Sequence, residues 1–186
     1  MAGESIEKRL RRIVTADGPR GSGVLIDAPP SVHLAGLFEI WRESLAMALD
    51  PLDGADRGPD AVVLTPPTGG VTVRWFIIEP HPPSVPDDEL RAAVSRSFAK
   101  LDAADCLVPD GPDLIMHRTP SLDIVCLLSG SASLILDDDE ILLAPGDVVV
   151  QRGTAHAWHA HGGPALFLAV LIDRRIAYSN IDGESL

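Results

Sequence analysis

The chain has 186 residues, 46% of them hydrophobic, with 15 Lys+Arg against 27 Asp+Glu for a formal net charge of −12. That is one domain's worth of chain with enough apolar material for a core, which argues against disorder and against a multidomain enzyme. A strongly acidic balance also argues against nucleic acid and anionic membrane as partners, because both are bound through clustered Lys and Arg.

Residues 4–13 are compatible with a short helix that leads into the turn-rich stretch Ala16 to Gly23, and Val24-Leu25-Ile26 reads as a short strand. From Leu34 to Leu49 the apolar residues Leu34, Leu37, Phe38, Trp41, Leu45 and Leu49 recur at spacings of three and four. That period predicts a helix ended by Asp50-Pro51, with a strand around Phe38 to Trp41 as the rival reading. Pro51 to Asp60 is a loop by composition. Ala61–Leu64 and Val71–Ile78 read as two strands joined by a long hairpin turn over Thr65 to Gly70. After the proline-rich connection Pro80 to Pro86, a helix is predicted from Asp87 to about Ala104. Asp87 or Ser84 would cap it, and Leu90, Val94, Phe98 and Leu101 would form its packing stripe.

Beyond Leu114 the pattern changes to short apolar runs between Gly, Pro and Asp. They are Asp123 to Leu128, Ala132 to Leu136, Glu140 to Leu143, Val148 to Gln151, Ala155 to His159 and Ala165 to Ile172. Closely spaced strands of this kind point to an antiparallel barrel or jelly roll. The fold class is therefore all-β with minor helices. The expected division is an N-terminal extension over 1–59, a barrel over 60–173 with a helical insertion at about 87–104, and a C-terminal tail over 174–186. The longest apolar run, Ala165 to Ile172, is too short to span a bilayer, so a soluble, cytoplasmic protein is expected. Cys106 and Cys126 read as reduced thiols. The acidic run Asp137 to Glu140 reads as a charged hairpin tip.

His117, Thr119, Ser121 and Asp123 share odd parity, so an extended backbone puts them on one face, together with Val125 and Leu127. His156 and Trp158 share a face, while His159 and His161 point the other way, towards solvent or an interface. Strand ends could bring His117, Asp123 and His156 together, and two imidazoles with one carboxylate are the facial triad of non-haem Fe(II) sites. Histidines satisfied by ordinary hydrogen bonds are the competing reading of the same spacing.

Two motifs carry a resemblance. The first is His117-Arg118-Thr119-Pro120-Ser121-Leu122-Asp123 leading to Gly130. The second runs from Pro145-Gly146-Asp147 to Gly153-Thr154-Ala155-His156-Ala157-Trp158. Together they resemble the cupin superfamily, specifically its small, single-domain, conserved-barrel members, and imply a double-stranded β-helix, or jelly-roll barrel. By that resemblance His117, Asp123 and His156 are metal ligands, and Thr119 stands where the second histidine of the first motif is usual. Ile124, Ser129 and Ser131 replace the Tyr and the flanking acids of many relatives, and Gln151 and Arg152 stand near the usual proline.

The resemblance implies a divalent transition metal, with Fe(II) favoured and Mn, Ni or Zn as alternatives. Thr119, Ser121, Val125, Leu127 and Trp158 are expected to line the pocket. The function it implies is that of an oxidoreductase of dioxygenase type acting on an aromatic or polyketide-like metabolite. The alternatives are a metal-dependent decarboxylase or isomerase and a non-enzymatic small-molecule binder. A homodimer is expected, built on the outer face that carries Val170 and Ile172.

Overall fold

The short runs after Leu114 do fold as strands in the computed structural model, which describes residues 6–81, 85–174 and 176. Strands β1 (Arg12–Gly18) and β2 (Gly21–Ala28) form a hairpin of their own. Then come β3 (His33–Leu34), β4 (Leu37–Ser44), β5 (Gly70–Ile78) and the helix α1 (Asp87–Lys100). The remainder is β6 (Ser121–Ser129), β7 (Ala132–Ile135), β8 (Glu140–Leu143), β9 (Val148–Arg152), β10 (Ala157–Ala160) and β11 (Ala165–Asp173). A six-stranded sheet runs in the order β3-β4-β5-β11-β6-β9, and a three-stranded sheet in the order β10-β7-β8. From β6 onward the chain passes between the two sheets and back, which is the alternation of a jelly roll.

Burial follows the two-residue period of an extended chain. On β6, Ser121, Asp123, Val125 and Leu127 are buried while Ile124 and Leu128 are exposed, so the expected register holds. On β11 the buried set is Ala165, Phe167, Ala169 and Leu171, and on β5 it includes Thr72, Arg74 and Phe76. Phe76, Phe167 and Trp158 stack at the centre of the barrel, with Phe76 and Phe167 4.5 Å apart and nearly parallel.

The motif glycines have backbone reasons. Gly130 has φ near 88°, and a Cβ there would sit 2.6 Å from the Pro164 carbonyl oxygen, so the turn after β6 admits only glycine. Gly146, with φ near 99°, lets Asp147 turn back so that its carboxylate accepts from the Ala144 N–H.

Three expectations before β5 fail, each for a visible reason. The Leu34–Leu49 helix does not form. Ala35 and Gly36 both have positive φ, a conformation that no α-helix contains but that a two-residue hairpin turn between β3 and β4 requires. The rival strand reading is the one observed: β4 buries Phe38 and Glu39, and Leu45, Met47 and Leu49 fall beyond it in exposed chain. Ala61–Leu64 is not a strand. Val62 and Leu64 are buried against α1, and the Leu64 N–H bonds to the Leu101 carbonyl, so Thr65 to Gly70 leads into β5 without making a hairpin. Of residues 4–13, the described ones form a 3-10 turn, Ile6–Arg9, and then enter β1 at Arg12, and residues 4 and 5 lie outside the described residues.

Helix α1 stops at Lys100, with a 3-10 turn at Ala104–Cys106 beyond it. Its N-cap position is Pro86 with no side-chain cap, and Asp87 is its first helical residue; Ser84 lies outside the described residues. The expected division at residue 60 falls between β4 and β5, which pair in one sheet. Residues before 60 therefore supply part of the main sheet, and the β1–β2 hairpin alone stands apart from it. That hairpin is tied down where Arg12, 6% exposed, makes a two-pronged pair with Asp56 at 2.6 Å. The expected tail over 174–186 lies outside the described residues except at 174 and 176. Among the described residues, both cysteines are free thiols and no helix is long and apolar enough to cross a membrane.

Candidate functional site

The chain leaves α1, passes the 3-10 turn at Ala104–Cys106 and returns to the barrel at His117. There a single antiparallel bridge locks His117 to His156, each backbone N–H donating to the other's carbonyl at 2.9 Å. The two imidazoles face each other with centroids 4.3 Å apart. Each is anchored in the same way: Nδ1 of His117 lies 3.0 Å from the Ile115 carbonyl, and Nδ1 of His156 lies 2.9 Å from the Thr154 carbonyl. A carbonyl only accepts, so Nδ1 carries the proton in both rings and the Nε2 lone pairs are left for the cavity. Burial lowers both pKa values. That of His156 falls to about 3, chiefly by burial and then by the neighbouring His117, against the pull of the Thr154 carbonyl. Both rings are therefore neutral at physiological pH.

These rings form the polar end of a cavity of about 510 Å³. Its walls are largely apolar, with Phe76, Val125, Trp158 and Leu171 from the sheets and Val94 and Phe98 from α1, which closes one side. Phe98 meets His117 edge-on at 5.3 Å, and Trp158 meets His156 in the same way at 5.6 Å. Asp123 lies on the cavity wall with its oxygens already engaged: Ser121 Oγ donates to one at 2.6 Å and Thr119 Oγ1 to the other at 3.0 Å. Burial raises the Asp123 pKa, opposed by those two hydroxyls and by the positive charge of Arg74.

Of the expected lining residues, Thr119, Val125 and Trp158 face the cavity. Ser121 and Leu127 do not: Ser121 is buried beneath Asp123, and Leu127 belongs to the closed part of the core. His159 and His161 point away from the cavity as expected, but each has a partner. Nε2 of His159 lies 2.7 Å from an Asp113 oxygen, and Nε2 of His161 lies 2.8 Å from Ser133 Oγ.

The strongest polar feature missed from the sequence is Arg74, opposite Glu39 in the β4–β5 register, both almost fully buried. The signal was present, since Arg74 shares inward parity with Thr72 and Phe76.

No family model matches the chain. Over 111 residues it is 38% identical to the cupin-domain-containing oxidoreductase virC of Hypocrea virens, a match covering 50% of this chain and 57% of that protein. Over 75 residues it is 37% identical to the cupin-domain-containing oxidoreductase fogC of Aspergillus ruber, covering 38% of this chain and 37% of that one. Over 80 residues it is 39% identical to phomopsin biosynthesis cluster protein C' of Diaporthe leptostromiformis, covering 42% of each. The fold is that of a small cupin. The chain spans about half the length, or less, of the relatives it matches.

Cupins typically bind a divalent metal, and the donor set tests whether this chain's residues fit one. The two imidazoles do fit: a ligating histidine usually donates its other N–H to a carbonyl or carboxylate, as both do here. The third ligand does not. Among the described residues no three His, Cys, Asp or Glu side chains gather closely enough to hold a metal ion, and Asp123 is tied back to its own segment. The triad of His117, Asp123 and His156 is therefore not assembled among the described residues: the three line one cavity without sharing a coordination centre.

Proposed function

We propose that this cupin is an oxidoreductase that takes a small, largely apolar metabolite of aromatic or polyketide-like character into its barrel, with the His117–His156 pair at the reacting end. The observation that carries the reading is the facing pair of neutral imidazoles at the polar end of an apolar cavity of about 510 Å³. Two relatives are named as cupin-domain oxidoreductases and a third as a biosynthesis cluster protein, which supports the class of reaction and a setting in secondary metabolism.

The residues present dictate how such a substrate is held. With Nδ1 protonated and fixed, each Nε2 accepts a hydrogen bond from a phenolic or enolic hydroxyl and can take its proton as the oxygen becomes more acidic. A general base is most effective when its pKa lies near the working pH. These rings lie below it, so the pair orients a hydroxyl more strongly than it deprotonates one. Trp158 and Phe76 give flat apolar surfaces for a ring, and α1 keeps water from that side of the cavity.

A second reading, a binding protein without turnover, is favoured by one observation: both oxygens of Asp123, an acid/base group on the cavity wall, already accept from Ser121 and Thr119. One experiment separates the two. The purified chain is analysed for bound metal and incubated with a panel of phenolic acids, with and without oxygen, alone and with Fe(II), Mn(II), Ni(II) or Zn(II). Oxygen-dependent turnover that is lost in His117→Ala and His156→Ala is the expected result. Oxygen-independent loss of CO2 would make it a decarboxylase. Binding without turnover in every arm would overturn the enzymatic reading.

A further inference from the structure

The cavity contains a charge that the histidine end does not use. Arg74 is 2% exposed, at the middle of β5, and its side chain lines the cavity wall with Phe76 and Asp123. Nη2 donates to the Val63 carbonyl at 2.7 Å and lies 3.1 Å from Glu39 Oε1. Nε and Nη1 are buried and have no hydrogen-bond partner, and neither oxygen of Glu39 is hydrogen-bonded.

A structural arginine–carboxylate pair in this same protein looks different: Arg12 and Asp56 meet through two parallel bonds of 2.6 Å. Arg74 and Glu39 make one loose contact, which leaves most of the guanidinium's donors without acceptors at a site where each missing acceptor is costly. Glu39 is also a weak counter-ion, because burial pushes its pKa up to about 7 against the pull of Arg74 and Arg42. The other charged groups that face this spot are Arg42 on β4, which bonds to Thr65 and Thr72, and Asp123 on β6, whose oxygens are engaged.

We infer that the cavity is built for a small apolar molecule bearing a carboxylate, whose oxygens supply the acceptors missing at Arg74 Nε and Nη1. The inference rests on the reading of this cavity as the substrate site and adds the class of substrate. The ligand's charge follows from the walls. One guanidinium with unmatched donors in a largely apolar cavity matches a single monoanionic group. The apolar body then lies along Phe76, Val125 and Trp158.

The test is a matched pair of probes, 2-naphthoate and its neutral amide 2-naphthamide, titrated calorimetrically into the wild-type chain at about pH 6.5. A charge-assisted bond to a buried arginine predicts that naphthoate binds about 10- to 100-fold more tightly than the amide. The preference should collapse in the double variant Glu39→Gln/Arg74→Gln, which removes both buried charges together so that neither is stranded. A second readout needs no variant: the Arg74 Nε–H resonance of isotope-labelled wild type should shift on adding naphthoate and stay in place with the amide. Equal binding of the two probes would overturn the role of Arg74 and leave the cavity reading standing. A preference that persists in the folded double variant, or an Nε–H resonance that naphthoate does not move, would overturn it too. Failure of both probes to bind would overturn the cavity reading with it.

Discussion

The depressed pKa of His156 makes a quantitative prediction about stability. Burial and the facing His117 ring, 4.3 Å away, lower its pKa from 6.5 to about 3, while the unfolded chain titrates at the ordinary value. Between those values the unfolded state binds a proton that the folded state refuses, so stability rises with pH across the window and is lost as the pH falls below about 6.5. One proton corresponds to about 1.4 kcal/mol per pH unit, so at pH 5 the protein should lose about 2 kcal/mol through His156 alone.

His117 pulls in the same direction. Glu39 pulls the other way: its folded pKa is raised from 4.5 to about 7, so through that window acidification favours the folded state. The wild-type profile mixes these terms, and comparison with His156→Gln isolates one of them. Urea unfolding of both proteins should be followed between about pH 8 and pH 5, with chelator present so that only protons compete for the ring. The stability difference between them should be flat above about pH 7 and should move by about 2 kcal/mol in favour of the variant by pH 5. A difference that stays constant over the whole range would mean that folded His156 protonates as freely as an exposed histidine, and the buried, carbonyl-anchored pair would be refuted.

Phe167 is fully buried between Phe76 and Trp158. Phe167→Ala should cost about 3–5 kcal/mol in urea unfolding, and a loss under about 1 kcal/mol would mean that the barrel centre is not packed as described. A homodimer is also proposed. The outward faces of β6 and of the edge strand β9 leave Ile124, Val148 and Val150 exposed, an apolar surface that a second copy would cover, whereas Val170 and Ile172 on the central strand β11 are half-buried within the chain. Light scattering should give twice 19.8 kDa, falling to a single chain in Val150→Asp. A wild-type mass of one chain at micromolar concentration would refute it.

The part of the fold after Leu114 was legible because each strand there carries its own signals. The apolar runs alternate, the turns contain Gly130 or Pro145-Gly146, and β6 buries alternate side chains, so parity alone placed Asp123, Val125 and Leu127 on one face. Parity also put His156 and Trp158 on one face and His159 and His161 on the other, and the bridge from His117 to His156 completed the pairing. Parity does not report depth or what a side chain already bonds to. Ser121 and Thr119 share the face of Asp123 as expected, yet their hydroxyls engage both of its oxygens, and Asp123 does not gather with the imidazoles. A ligand set inferred from spacing does not count the bonds a carboxylate already makes, and here two neighbouring hydroxyls each donate to one of its oxygens.

The difference at β4 has the larger consequence for function. A three-and-four spacing across Leu34 to Leu49 suggests a helix because Leu45 and Leu49, exposed residues beyond the strand, complete the period by accident. On a helix Glu39 would be one more surface acid, and Arg74 an isolated cation on a strand whose other side chains are mostly apolar. Only the antiparallel β4–β5 register sets Glu39 against Arg74, and that register depends on the left-handed turn at Ala35 and Gly36, where a Cβ on Gly36 would lie 2.7 Å from the Ile77 carbonyl oxygen. The conformation of one turn thus decides whether a buried charge on the next long strand has a neighbour of opposite sign. Inward-facing charged residues on otherwise apolar strands are costly enough to be rare without a partner or a ligand. Arg74 carries that signal whichever way Leu34 to Leu49 folds, because its parity with Thr72 and Phe76 alone turns it into the barrel. Glu39 then removes only part of the cost of burial, and the donors it leaves unmatched belong to a side chain that lines the cavity wall.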